Sequence, residues 1–185
     1  MLLPNPSDLP PNKPLSRNFV FALLKVFLLI PAALLLLLIW YLWPRSFWGA
    51  LPGYPPEEEV TACYAILTPF DPGDGPPAQT VEFSPGSPDY AQLTALLESS
   101  SYRRDLFDLF RLGRASDTQQ VTLSPYAVSV YFRQGAAQWS IDFWGPRAIA
   151  NSSTGASRTY HPTEGFSFQQ EVAEFVTSRA RETGG

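Results

Sequence analysis

The sequence predicts an α+β fold: one N-terminal transmembrane helix, then a small antiparallel-sheet domain with helices packed on one face. Three observations carry this expectation. An uncharged apolar run, VFLLIPAALLLLLIWYLW, extends from Val26 to Trp43. Two segments of alternating apolar and polar residues flank Gln134-Gly135, as a hairpin requires. Apolar residues recur at helical spacing both before that hairpin, near Leu93, and after it, near Val172.

The chain opens with MLLPNPSDLPPNKPL, whose prolines and lack of apolar period predict a disordered tail over residues 1–18. The transmembrane helix is expected over 19–43. At about 1.5 Å per residue, about 20 apolar residues cross a hydrocarbon core. Lys25 can extend its ammonium towards the headgroups. Pro31 interrupts the run, and membrane helices tolerate such a kink. Trp40, Tyr41, Trp43 and Trp48 gather at the C-terminal end, and aromatic rings with a polar handle favour the membrane–water interface. Lys25 and these four are therefore the expected interface anchors. The run exceeds the apolar region of a cleaved signal peptide. Trp48-Gly49-Ala50 also puts a bulky residue where cleavage wants a small one. Val60-Thr61-Ala62-Cys63 is similar to a bacterial lipobox, but three glutamates and a proline-rich stretch separate it from the apolar run.

Charge sets the expected orientation. Before residue 46, Lys13, Arg17, Lys25 and Arg45 oppose only Asp8, a net charge of +3; from there on, nine arginines face sixteen acids, a net charge of −7. Lys13, Arg17 and Lys25 precede or open the apolar run, and Arg45 alone follows it. The positive-inside bias then predicts a single-pass protein of the cell membrane, its N-terminus cytoplasmic and its C-terminal domain outside. An acidic domain lacks the positive field that phosphate binding needs, so no nucleic-acid partner is expected.

Residues 44–59, rich in Pro, Gly and Glu, read as a linker, and 60–185 as the extracytoplasmic α+β domain. A β-rich run predicts a strand from Val60 to Thr68; a turn-rich loop over 70–77 leads to a second strand, Gln79 to Phe83. Ser87-Pro88 has the pattern of an N-cap followed by a first-turn proline, and Tyr90, Leu93, Leu96 and Leu97 continue at helical spacing. Asp105 to Leu112 reads as a second, shorter helix. With Gln134-Gly135 as the hairpin turn, Phe132 faces Ala137, Val130 faces Trp139, Val128 faces Ile141 and Tyr126 faces Phe143. Ser129, Tyr131, Arg133, Gln138, Ser140 and Asp142 then share the opposite, polar face. Ala148–Asn151 and Arg158–Tyr160 are expected short strands. The closing helix shows Ser167 and Gln170 at capping-box spacing, with Phe168, Val172, Phe175 and Val176 as its apolar stripe.

Signals of chemistry are sparse. Cys63 is the only cysteine, and on an apolar strand it reads as a small buried hydrophobe. His161 is the only histidine and reads as a turn residue before Pro162. No G-x-S-x-G marks a nucleophile. One His and one Cys cannot close a zinc site without carboxylates. Asp71-Pro72-Gly73-Asp74-Gly75 lacks the alternating ligands of a calcium loop. Neither metal nor cofactor is expected. Asp105 and Asp108, three residues apart, read as a solvated helix face, and Asn151-Ser152-Ser153 matches the N-glycosylation sequon.

The aromatic residues are more telling. Tyr131 and Trp144 fall on the polar parity of the hairpin, and with Arg133 they form the candidate partner-binding patch. The expected role is a binding or interaction domain displayed outside the cytoplasm. Its partners are the lipid bilayer, through residues 19–43, and a candidate envelope or membrane protein. A membrane-tethered hydrolase with a site assembled from scattered residues, or a passive structural spacer, are the competing readings.

Overall fold

The computed structural model describes residues 17–53, 59–70, 77–104 and 126–183, with side chains from Lys25 to Glu182. The expected tail up to residue 16, residues 54–58 of the expected linker, the Asp71–Gly75 turn and the expected helix at Asp105–Leu112 lie outside the described residues. The chain divides into two compact units, Met1–Tyr41 and Leu42–Gly185.

The first unit is dominated by helix α1, Arg17–Leu42, whose 26 residues include Pro31. Its stretch Lys25–Leu42 is long and apolar enough to cross a membrane, and none of it is buried within the protein. Val26, Phe27, Leu28, Leu29 and Ile30 are each more than half exposed. Consecutive residues point in all directions around a helix, so this surface is apolar on every side.

The second unit is a seven-stranded sheet. Its strands are β1 Ala62–Pro69, β2 Gln79–Phe83, β3 Tyr102–Arg103, β4 Tyr126–Gln134, β5 Ala137–Trp144, β6 Arg147–Ser152 and β7 Ser157–Pro162. They lie in the order β2-β1-β4-β5-β6-β7-β3, every neighbouring pair antiparallel. Among the described residues three helices accompany them: α2 Phe47–Ala50, α3 Pro88–Ser99 and α4 Phe166–Thr183. The fold is thus mixed α+β, with α4 packed on one sheet face. Cys63, Ala65 and Leu67 of β1, Val128, Val130 and Phe132 of β4, and Ile141 and Phe143 of β5 meet Phe168, Val172 and Val176 in one core.

The β4–β5 hairpin keeps the expected faces but not the expected register. Its loop is Gly135-Ala136, so Gln134 pairs with Ala137, Phe132 with Trp139, Val130 with Ile141 and Val128 with Phe143. Primed hairpin turns demand positive φ at the first loop position, and Gly135 supplies it at φ 55°. The turn therefore starts one residue later and each pairing moves by two. Because strand parity has a period of two, no side chain changes face.

Helix α3 follows its sequence signals. Ser87 Oγ accepts from Tyr90 N at 3.1 Å, Pro88 opens the first turn, and Tyr90, Leu93 and Leu97 are buried. Helix α4 departs in its first turn. Ser167 lies inside the helix, its hydroxyl donating to the Glu164 carbonyl, and Gln170 reaches forward to Glu174. The capping box is therefore not formed, although Phe168, Val172 and Val176 are buried as the stripe requires.

The expected linker is corrected at its N-terminal half. Ser46 caps α2, and Phe47, Trp48, Ala50 and Leu51 are at most 4% exposed. Trp48 is thus part of this core, not a membrane-interface anchor. Its indole N–H donates to Glu98 at 2.5 Å, and its ring packs edge-on against Phe47 and Phe132. Trp139 Nε1 donates to the Pro52 carbonyl at 2.8 Å. The physical reason is the water-avoiding surface of Phe47, Trp48 and Leu51, which exceeds what a solvated linker can carry. Just before α2, Arg45 and Tyr102 exchange two backbone hydrogen bonds of 2.9 and 3.0 Å. Tyr102 itself is fully buried, its hydroxyl donating to the Leu97 carbonyl at 2.9 Å.

Trp48→Ala is expected to destabilise the second unit by about 3–5 kcal/mol, the usual cost of removing a buried indole. Urea unfolding of the full chain in detergent, followed by near-ultraviolet circular dichroism, measures this. A lipid-facing Trp48 would give no such loss.

Candidate functional site

The face of the sheet opposite α4 is polar and aromatic, and its composition follows from strand parity. Across it run Glu82 on β2, Tyr64 on β1, Tyr131 on β4, Ser140 on β5 and Asn151 on β6, each paired with the next. The row beside it holds Ile66, Ser129, Asp142, Ile149 and Thr159.

Tyr64 and Tyr131 are cross-strand neighbours with rings stacked at 4.8 Å between centroids and 7° between planes. Both are half-buried. Gln138 Nε2 donates to the Tyr64 hydroxyl at 3.4 Å. Asp142 lies diagonally from Tyr131, within reach of a long side chain. Asn151 Nδ2 donates to Asp142 Oδ2 at 2.7 Å and to Ser140 Oγ at 3.3 Å. Burial pushes the Asp142 carboxyl above the usual carboxylate range, while hydrogen bonds from Ser129, Asn151 and Ser140 oppose that shift. Among the described residues no cation pairs with Asp142. The Tyr131 phenol is also raised, first by burial and then by the negative charge of Asp142.

The three patch residues expected from the sequence do share this face, but they do not form one cluster. Tyr131 and Arg133 are two positions apart on β4, and Arg133 is exposed. Trp144 sits four residues beyond Ser140, the partner of Tyr131, hence about 13 Å along the sheet at 3.3 Å per residue. It is 49% exposed and meets Phe70 edge-on. Arg133 instead borders a groove of about 420 Å³ with Tyr64, Thr80 and Glu82. The sequence reading therefore missed Tyr64 as the partner of Tyr131. Its alternating β1 position was legible, but the pairing of β1 with β4 joins residues far apart in the chain. Of the expected membrane anchors other than Trp48, Lys25, Trp40 and Tyr41 belong to the first unit. Trp43 follows α1 and is 64% exposed.

The remaining candidates separate. Cys63 points into the core and His161 lies on the opposite sheet face, with β4, β5 and β6 between their strands. A Cys–His pair is not assembled. Burial pushes the Cys63 thiol up to about 12, which leaves no thiolate at neutral pH. Asn151 of the sequon lies within β6, its amide committed to Asp142, rather than in a loop.

Comparison with family models, with curated proteins and with solved structures found no match to this chain.

The burial of Asp142 and of Cys63 each has a measurable consequence. A carboxyl whose folded pKa is raised holds its proton more tightly folded than unfolded, so its ionisation weakens the fold as pH rises through that range. Asp142→Asn is therefore expected to raise the thermal midpoint at pH 7, with the gain shrinking as pH falls towards the ordinary carboxylate range. Thermal melts of both proteins across pH check this. Cys63 is expected to resist iodoacetamide in the folded protein and to react fully in guanidinium, read by mass spectrometry.

Proposed function

We propose that this chain is a single-pass membrane protein that displays its C-terminal unit outside the cytoplasm as a binding domain. Its partner is another envelope or membrane protein, received on the polar sheet face. The observation that carries this reading is the stacked Tyr64–Tyr131 pair beside Asp142, half-exposed on the face opposite α4. A desolvated carboxylate without a countercharge weakens the fold that holds it. Groups held at such a cost concentrate where a ligand is met. Half-exposed aromatic rings with an arginine, Arg133, on the same face are residue types enriched where proteins meet. The apolar surface of α1 supports the membrane tether, and Lys13, Arg17 and Lys25 at or before the start of its apolar run, against Arg45 alone after it, support a cytoplasmic N-terminus.

A photo-crosslinking residue at position 131 of the full-length protein, in its native membrane, tests the face. It is expected to give a discrete adduct, while the same residue in place of exposed Ala95 on α3 gives none. Equal labelling from both positions, or from neither, would remove the basis for this reading. Orientation is checked separately by adding protease to intact cells or spheroplasts. The C-terminal unit is expected to be digested, and its protection would reverse the topology.

A further inference from the structure

The polar sheet face carries enough chemistry to name what it binds. We infer that Asp142, flanked by the Tyr64–Tyr131 stack, receives the guanidinium of an arginine presented by the protein partner. This rests on the binding role proposed above.

Charge favours a cation at this place. Asp142 is half-buried, held by Asn151 Nδ2 at 2.7 Å, and unpaired with any cation among the described residues. The groups that hold its carboxylate are neutral: Ser129 opposite it on β4, Ser140 two residues before it and Asn151 on β6; Arg147, diagonal to it on β6, forms no ion pair with it. They orient the carboxylate and supply no countercharge. The surrounding domain does not neutralise it either, since acids exceed arginines sixteen to nine from residue 46 onward. A positive ligand therefore finds both a local carboxylate and a favourable long-range field.

Shape selects a planar cation. The Tyr64 and Tyr131 rings lie within 7° of parallel and occupy one face of each other. Among the described residues neither ring meets a second ring or a cation on its other side. A guanidinium is planar, stacks on such a face and can bond a carboxylate with two parallel N–H groups. An ammonium offers the charge without the plane. A saccharide would use the ring faces, yet it gives no compensation to the isolated carboxylate.

The test uses the full chain in neutral detergent micelles. N-acetyl-arginine amide is titrated in, while the side-chain amide of Asn151 and the ring signals of Tyr64 and Tyr131 are followed by nuclear magnetic resonance. Saturable shifts at all three residues are expected. N-acetyl-citrulline amide, which keeps the shape and loses the charge, is expected to give none, and the lysine analogue to bind more weakly. Asp142→Asn should weaken arginine binding at least about tenfold. Tyr131→Leu, which keeps bulk and removes the ring, should weaken it too, so the result does not hang on one variant folding. Binding should also fall as pH is lowered and Asp142 takes up its proton. No saturable shift, equal response to citrulline, or full binding by a folded Asp142→Asn protein would overturn the inference. An adduct at position 131 without arginine binding would sink the guanidinium while leaving the binding face intact. Loss of both would remove the face itself.

Discussion

The period of two along an antiparallel strand is the constraint on which the second unit depends. Each strand must present one set of side chains to the helical layer and the other away from it. Val128, Val130 and Phe132 satisfy the first demand, and Ser129, Tyr131 and Arg133 the second. The core and the polar face are therefore not independent designs. Apolar packing under α4 fixes the strand register, and the register in turn sets Tyr131 beside Tyr64 and Asp142 beside Asn151.

Closure of the core comes from outside the sheet. Helix α2 and the turn after it bring Phe47, Trp48 and Leu51 against rings contributed by distant strands. Phe47 lies 5.5 Å from Phe132 and 6.0 Å from Tyr102, and Tyr102 in turn meets Phe168 of α4 at 6.2 Å. Such edge-on and tilted contacts suit the ring quadrupole and add to the gain from burial. The two-residue strand β3 owes its place to this cluster, since Tyr102 anchors it from both side chain and backbone. No local pattern would have announced so short a strand.

The legible parts of the fold were those with local signals. Ser87-Pro88 marked the start of α3, and Gln79 to Phe83 delimited β2. Hairpin faces were legible because parity survives an error of two in register. The first part of the linker was misread because proline and glycine surround Phe47, Trp48 and Leu51, and their destination is a distant surface. Trp48 looked like an interface residue for the same reason: it stands near three other aromatic residues in sequence, yet its contacts are Phe132 and Glu98. The candidate site was legible as a parity class but not as a cluster. Ser129, Tyr131, Ser140 and Asp142 were visible on one face, whereas Tyr64 needed the β1–β4 pairing and Trp144 fell too far along the sheet.

The two hydrogen bonds exchanged by Arg45 and Tyr102 have a mechanical meaning. Arg45 lies three residues past the end of α1, and its bonds to β3 precede every strand of the sheet in chain order. Tension drawn along the polypeptide from its N-terminal side reaches this clasp, and then the aromatic plug of α2, before it can strain β1. A sustained pull from that side would load the entry segment and the edge strand β3 first, at the opposite end of the sheet order from β1 and β2.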